Sequence, residues 1–242
     1  ILALRELMPQ GTSYWASFRN YRGHLLRFDT RIYLEPITQS ADTDRCIGCV
    51  IGKNPGSARP IRGRRTNRKN RSSAASVSGA EDKKTIYTNT AARQRQRYPL
   101  ALGTDRFLPT VRATVLKAYV NADVAIPERG YLSVLNLFYL CEARLAVAKK
   151  HLDELPKTAV CRQEDSAYPW IWYTWGSPDR QLDCMKHRFF RMRAAHHFYF
   201  STRDEQILAR RPRHTDHARH TQGMPTAPVV QHLAKLLQKQ SR

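Results

Sequence analysis

A short run of small and β-branched residues, from Cys46 to Ile51, stops at a turn with the sequence Gly-Lys-Asn-Pro-Gly, residues 52–56. A run of this kind that ends in glycine and proline predicts a buried strand followed by a tight turn. The turn holds Asn54, whose amide offers both a donor and an acceptor, at the carboxyl end of the strand. Open α/β sheets bind their ligands at that end, and Gly52 lets a ligand approach the backbone closely. We expect a binding site at this turn; an ordinary connecting turn is the alternative.

A second apolar run, residues 131–140, is interrupted by a single amide, Asn136. Before it, residues 107–120 carry apolar side chains at helical spacing around Pro109, which predicts a crossover helix between two parallel strands. An amide near the end of a buried strand needs partners, and the edge of a pyrimidine base supplies both a donor and an acceptor. Asn136 is therefore a candidate for base recognition, with a structural amide bound to nearby backbone as the alternative.

The remaining segments predict further elements around these two strands. We expect a helix and loop over residues 1–22, an edge strand or hairpin over 23–34, helices over 142–155, 179–192 and 228–240, and strands over 169–177 and 195–201. Together they predict one domain over residues 1–242, with 59–105 as a basic, flexible insertion. The expected fold is a three-layer α/β/α sandwich with a four-stranded, mainly parallel central sheet.

Charge is the strongest signal in the composition, since 41 Lys and Arg against 20 Asp and Glu give a net charge of +21. A polyanionic partner explains this excess, and DNA is favoured over a membrane because no long apolar helix or amphipathic anchor accompanies the charge. Between residues 59 and 97 there are twelve Lys and Arg but only two acidic residues. The candidates there for binding DNA phosphates are Arg62, Arg64, Arg65 and Arg68. A solvated loop without a specific role is the alternative.

The five cysteines are irregularly spaced and odd in number, which does not indicate a disulfide framework. We therefore expect a reducing compartment, the cytoplasm. We expect neither a signal peptide nor a membrane span.

Four segments together resemble the uracil-DNA glycosylase superfamily. The turn at residues 52–56 resembles that family's first motif, in the Gly-x-Asn-Pro-Gly form of its mismatch-specific branch. The run around Asn136 is similar to the family's Leu-Leu-Asn strand, and the aromatic run ending in Trp175-Gly176 is similar to its strand ending in Trp-Gly. The segment Pro212-Arg213-His214 lies where the family has a loop that contains histidine.

That last segment looks most like an uncharacterised bacterial and phage branch with the pattern Pro-x-His-Pro. Thr215 stands here in place of the second proline. The choice among His214, His217 and His220 as the family's histidine therefore stays open, and His214 is preferred because it lies within the matching segment.

The resemblance implies a monofunctional DNA glycosylase, which hydrolyses the N-glycosidic bond of a flipped-out uracil-like or modified pyrimidine and leaves an abasic site. It implies that Asn54 holds the attacking water, that Gly52 and Asn136 bind the base, and that His214 donates a hydrogen bond to the leaving base. The remaining residues assigned to DNA binding are Lys53, Arg213 and Arg219. We expect no cofactor, no metal, no membrane association and a monomer.

The substrate hypothesis depends on one departure from the most active uracil enzymes, which carry Asp where this chain has Asn54. An amide cannot act as a carboxylate base, so slow attack on uracil or a better leaving base is expected. A modified cytosine in phage DNA, excised in antiviral defence, is consistent with the branch that the sequence resembles.

Three alternatives remain. A metal-dependent nuclease would use the donors His214, Asp216, His217 and His220. An iron-sulfur cluster would use cysteines among Cys46, Cys49, Cys141 and Cys161, although Cys46 and Cys49 are three apart on one strand and should face opposite ways. A noncatalytic DNA-binding module would keep the scaffold without turnover.

Overall fold

The computed structural model describes residues 11–54, 56–61, 100–103, 105–155 and 159–241. Within these ranges nine strands form one sheet in the order β4-β5-β1-β2-β6-β3-β7-β8-β9. The strands are β1 (Thr12–Tyr21), β2 (His24–Ile37), β3 (Cys46–Gly52), β4 (Arg59–Pro60), β5 (Leu100–Gly103), β6 (Tyr131–Asn136), β7 (Ala167–Tyr173), β8 (Arg193–Ser201) and β9 (Gln206–Leu208). The helices in the same ranges are α1 (Phe107–Ala122), α2 (Leu145–Lys150), α3 (Arg180–Lys186) and α4 (Thr226–Gln240).

The centre of the sheet is parallel and its flanks are antiparallel. Strands β6, β3, β7 and β8 are parallel neighbours, whereas the other five neighbouring pairs of described strands run antiparallel. The prediction of a sandwich built on a four-stranded, mainly parallel sheet is therefore wrong, because the sheet is nine-stranded and mixed. The added strands are β1, β2, β4 and β5 on one side and β9 on the other.

The largest departure is a long β-hairpin formed by β1 and β2, whose first strand lies within the segment 1–22 predicted as a helix and loop; residues 1–10 of that segment lie outside the described residues. The two turn residues of the hairpin, Arg22 and Gly23, have φ values of 49° and 83°. Two consecutive residues with positive φ are what a two-residue type I′ hairpin requires. The pairing of β1 with β2 contains two register shifts, one between Thr12 and Tyr14 and one between Trp15 and Ser17. These irregularities interrupt the alternation of buried and exposed residues that would have indicated a strand.

Helices cover both faces of the parallel centre. Val115 of α1 and Leu233 of α4 belong to one buried cluster with Val50 of β3. On the opposite face, Ala148 of α2 and Leu182 of α3 pack in a cluster with residues of the same strand. None of the helices in the described ranges has both the length and the apolar character needed to cross a bilayer.

The helix predictions differ in outcome according to length. The crossover helix predicted over 107–120 and the closing helix over 228–240 are confirmed as α1 and α4. The helices predicted over 142–155 and 179–192 are shorter, because α2 and α3 end early and short 3₁₀ turns follow at Leu152–Glu154 and Phe189–Arg191.

Strands β4 and β5 mark the two ends of the predicted basic insertion. Arg59 pairs with Gly103, and Pro60 pairs with Leu102. Since β5 also pairs with β1, both ends of the insertion are held at the edge of the sheet. Residues 62–99, which include the predicted DNA contacts Arg62, Arg64, Arg65 and Arg68, lie outside the described residues.

Gly48 of β3 provides a test of this packing. A methyl group at this position would overlap the indole ring of Trp170, which is fully buried. Overpacking of a filled core costs about 1–3 kcal/mol. We expect Gly48→Ala to lower the free energy of unfolding, measured by urea denaturation, by about that amount. Gly103→Ala is the matched control, because its nearest added contact is an ordinary 3.5 Å from the Arg59 carbonyl oxygen. Equal stabilities of the two variants would contradict this packing.

Candidate functional site

A cleft of about 620 Å³ opens at the carboxyl ends of β3 and β6. Its walls come from the turn after β3, the start of α1, Ala143, and the segment 220–224 before α4. Gly52 and Asn136 are the last residues of β3 and β6 and are direct partners in the parallel register. The predicted turn and the predicted amide are thus brought together by strand pairing.

Asn136 is the most unusual polar residue at this end of the sheet. Its side chain is buried, and its Nδ2 has no hydrogen-bond partner within the described chain. The position that a Cβ on Gly52 would occupy lies 3.1 Å from Asn136 Oδ1 and 3.4 Å from the ring of Phe107. Leaving a buried donor unpaired costs about 1–3 kcal/mol. A bound ligand with an acceptor at this point would remove that cost.

Asn54 lines the same cleft and is fixed by one of its two polar atoms. Its Nδ2 donates a 2.9 Å hydrogen bond to the carbonyl oxygen of Glu142. This bond joins the turn after β3 to the segment after β6. Among the described residues no donor binds the amide oxygen of Asn54, which can accept a hydrogen bond from a water molecule.

Phe107 and His220 both line the cleft, and their rings are in contact. The ring centroids are 5.1 Å apart and the ring planes make an angle of 33°. Burial lowers the pKa of His220, and the positive charge of Lys53 lowers it further against a smaller opposing effect of Asp105. The ring is therefore neutral near pH 7. The backbone N–H of Gln222 donates to His220 Nδ1 at 3.2 Å, which leaves the proton of the neutral ring on Nε2.

Asp105 adds a carboxylate to the cleft that the motif comparison did not identify. Its Oδ1 accepts a 3.0 Å hydrogen bond from the backbone N–H of Phe107, and its Oδ2 lies 2.5 Å from where a Cβ on Gly56 would be. Gly56 has a φ of 66°, so glycine is favoured here for both conformation and space. The one feature of the sequence that could have identified Asp105 is its position just before the start of the helix predicted over 107–120.

Lys53 lies at the inner side of the cleft, half-buried beside Gly176. Burial lowers the pKa of Lys53, Asp179 opposes the shift, and the positive charges of Lys186 and Lys149 add to it. Lys53 is thus a cleft-lining cation with other lysines close to it.

The loop after β9, called the histidine loop below, carries the three candidates His214, His217 and His220. Lys186 anchors its backbone. This lysine is buried, donates a 2.8 Å hydrogen bond to the carbonyl oxygen of His214, and pairs with Asp183 at 2.8 Å. The side chain of His214 is exposed and lies outside the cleft lining, with its ring 6.5 Å from that of His187. Among the three candidate histidines, His220 is the one that lines the cleft.

Asp216 fixes the same loop through three hydrogen bonds to one oxygen, from the Tyr199 hydroxyl at 2.6 Å and from Arg210 and the Arg213 backbone N–H at 2.8 Å each. Burial opposes ionisation of Asp216, but these bonds outweigh it and lower its pKa. The guanidinium of Arg213 is on an exposed residue, and that of Arg219 donates to the carbonyl oxygen of Gly223.

The donors proposed for a nuclease do not assemble into a metal site. Among the described residues, one group of three potential ligands lies close enough to bind an ion together, and it contains none of His214, Asp216, His217 and His220. Cys49 and Cys161 are buried, and burial raises the pKa of both thiols, which favours the protonated form of core residues.

Comparisons with protein-family models, with curated proteins and with solved structures give no match for this chain. Any functional assignment therefore depends on the geometry and chemistry of the cleft itself.

The pH dependence of stability tests how the histidine loop is anchored. His197 of β8 accepts a 3.1 Å hydrogen bond on Nε2 from Arg211 and has its Nδ1 3.0 Å from the Tyr173 hydroxyl. Burial, followed by the charges of Arg211 and His196, lowers the pKa of His197 to about 4. The unfolded chain binds this proton near pH 6.5 and the folded chain does not. Its contribution is therefore complete above about pH 6.5 and is lost as pH falls toward about 4.

We expect His197→Gln to flatten the fall in unfolding free energy over this interval, measured by urea denaturation at a series of pH values. Gln206→Ala, at an exposed and non-titrating position of the neighbouring strand β9, is the control and should keep the wild-type pH dependence. Identical pH profiles for His197→Gln and the wild-type protein would refute the anchoring role.

Proposed function

We propose that this protein is a monofunctional DNA glycosylase of the uracil-DNA glycosylase type, which removes a flipped-out pyrimidine and leaves an abasic site. The observation that carries the proposal is the buried, unpartnered Nδ2 of Asn136 beside Gly52 and Phe107. The cleft volume of about 620 Å³ lies in the range of small-molecule sites and accommodates a nucleoside.

Base recognition is assigned to Asn136, which is buried next to Gly52 and Phe107, two residues that line the cleft. A uracil-like edge presents a carbonyl acceptor next to an N–H donor, which complements the two ends of the Asn136 amide. The ring of Phe107 supplies a flat apolar surface for the base. Gly52 has no side chain to crowd the Asn136 amide, since a Cβ there would lie 3.1 Å from the amide oxygen.

Stabilisation of the leaving base is assigned to His220 in preference to His214. Cleavage of the N-glycosidic bond places negative charge on the base, and a positioned donor lowers the free energy of that state. His220 is neutral, carries its proton on Nε2 and lines the cleft, whereas His214 is exposed outside it. The charge of Lys53 further favours an anionic leaving group.

Water attack is assigned to Asn54 and Asp105 together. The Oδ1 of Asn54 orients the water, because its Nδ2 is already bound to Glu142. Asp105 supplies the carboxylate that Asn54 lacks, both to accept a proton from the water and to stabilise positive charge on the sugar. This division of roles removes the need for an Asp within the turn itself.

A noncatalytic DNA-binding module is the second candidate, because the net charge of +21 supports DNA affinity without requiring turnover. The two candidates differ in their products. A glycosylase releases a free base, whereas a binding module leaves the DNA intact.

The decisive experiment incubates the protein with uracil-containing DNA and with natural and modified phage DNAs, then measures abasic sites and released bases by mass spectrometry. We expect a released pyrimidine without strand scission. Asn136→Ala and His220→Ala should each reduce the rate about 10²- to 10³-fold, as loss of one positioned donor does elsewhere. Asp105→Asn should also slow release.

His214→Ala is the matched histidine control and should keep near wild-type activity. A large loss in His214→Ala with none in His220→Ala would reverse the assignment of the histidine. The absence of any free base from all of these DNAs would favour the binding module.

DNA affinity is tested separately from turnover. Each lysine or arginine that contacts a phosphate contributes about one unit to the slope of log affinity against log salt concentration. We expect Arg213→Ser and Arg219→Ser each to weaken DNA binding and to reduce this slope, measured by fluorescence anisotropy. Lys235→Ser, on the exposed face of α4, is a charge-matched control and should leave the slope unchanged. If Arg213→Ser and Arg219→Ser both keep the wild-type slope, as Lys235→Ser should, a DNA-binding role for the histidine loop is excluded.

A further inference from the structure

Three side chains that the proposed glycosylase chemistry does not use come together away from the cleft lining. His24 begins β2, His151 follows α2, and Glu154 lies in the 3₁₀ turn after it. Glu154 Oε2 is 2.9 Å from His24 Nε2, and Glu154 Oε1 is 3.0 Å from His151 Nδ1. The two imidazole centroids are 4.7 Å apart. Residues about 130 positions apart in the chain therefore converge on one carboxylate.

These distances match those between neighbouring ligands of a small divalent ion. Nitrogen and oxygen ligands that each lie about 2.1 Å from a zinc ion, at angles near 90–110°, are about 3.0–3.4 Å apart. The ligand atoms of the three residues all lie within 4.8 Å of one another. Each of the three residues can therefore offer one ligand atom to the same ion.

The donor chemistry narrows the choice of ion. Two imidazoles and one carboxylate suit zinc and other first-row divalent metals, whereas magnesium and calcium prefer oxygen ligands alone. The side chains are 20%, 37% and 52% exposed for His24, His151 and Glu154. An ion could enter from solvent and keep a water molecule in a fourth position.

The charge environment is also unusual for this chain. Although the protein has 41 Lys and Arg, the ion-pair partners of Glu154 among the described residues are the two histidines. A carboxylate on such a basic protein would ordinarily pair with one of the abundant cations. Here the fold directs it to two groups that can bind a metal.

We propose that His24, His151 and Glu154 form a binding site for a divalent transition-metal ion of the zinc type. The ion would join the β1–β2 hairpin to the segment that follows β6. That segment already contacts β2, because the Cys141 N–H donates to the Leu25 carbonyl oxygen at 2.9 Å. It also carries Glu142, whose carbonyl oxygen holds Asn54, so the ion would brace one wall of the cleft without taking part in its chemistry.

The test uses the full chain, stripped of metal with a chelator and then titrated with Zn²⁺ by calorimetry. We expect one ion per chain and a rise in Tm on binding. His24→Ala and His151→Ala should each weaken the affinity by at least the about 10- to 100-fold that loss of a supporting residue costs at metal sites. Glu154→Gln should weaken it while preserving the size of the side chain.

His196→Ala on β8 is the matched control and should bind Zn²⁺ as the wild-type protein does. Co²⁺ provides an independent readout, since its visible absorption reports its ligands and should be lost in His151→Ala. Unchanged affinity in all three site variants would overturn the proposal by placing zinc elsewhere, for example at cysteines. No stoichiometric binding would also overturn it and would identify the cluster as a hydrogen-bonded contact only.

Discussion

The parallel pairing of β3 with β6 is the interaction on which the rest of the candidate site depends. It places Gly52 and Asn136 side by side at the end of the sheet. A Cβ on Gly52 would lie 3.1 Å from the Asn136 amide oxygen and 3.4 Å from the Phe107 ring, so the three residues are closely packed there. Any shift of register by one residue would turn Asn136 toward the other face of the sheet. A single strand pairing therefore determines whether a buried amide lies next to the cleft residues Gly52 and Phe107.

Around the cleft, several candidate side chains and the histidine loop are held by contacts from other parts of the chain. Asn54 is bound by the Glu142 carbonyl oxygen, and Asp105 is bound by the start of α1. The histidine loop is supported by buried Lys186. Such external supports limit the motion of the reacting groups, which is what a preorganised site requires. Two cations at this loop are paired as well, Lys186 with Asp183 and Arg210 with Asp216.

Prediction from sequence succeeded where the pattern was local and regular. Strand β3, helix α1, strand β6 and helix α4 each follow from apolar periodicity with glycine or proline at the ends. It failed for β1, where register shifts break the alternation, and so missed how far the sheet extends. It also missed Asp105 and Phe107 as parts of the cleft. Asp105 ends the predicted basic insertion and Phe107 follows it, and only the return of the chain along β5 brings them to the turn after β3.

The amino-acid sequence by itself determined the strand that ends in the Gly-Lys-Asn-Pro-Gly turn, the buried run with one amide, and the strong basic charge. These depend on residue types within a few positions of one another. Tertiary structure alone decided that the sheet has nine described strands and that His220, rather than His214, lines the cleft. It also decided that His24 meets His151 and Glu154. The physical reason is that each of these outcomes depends on contacts between distant segments, whose geometry is set by strand register and loop anchoring.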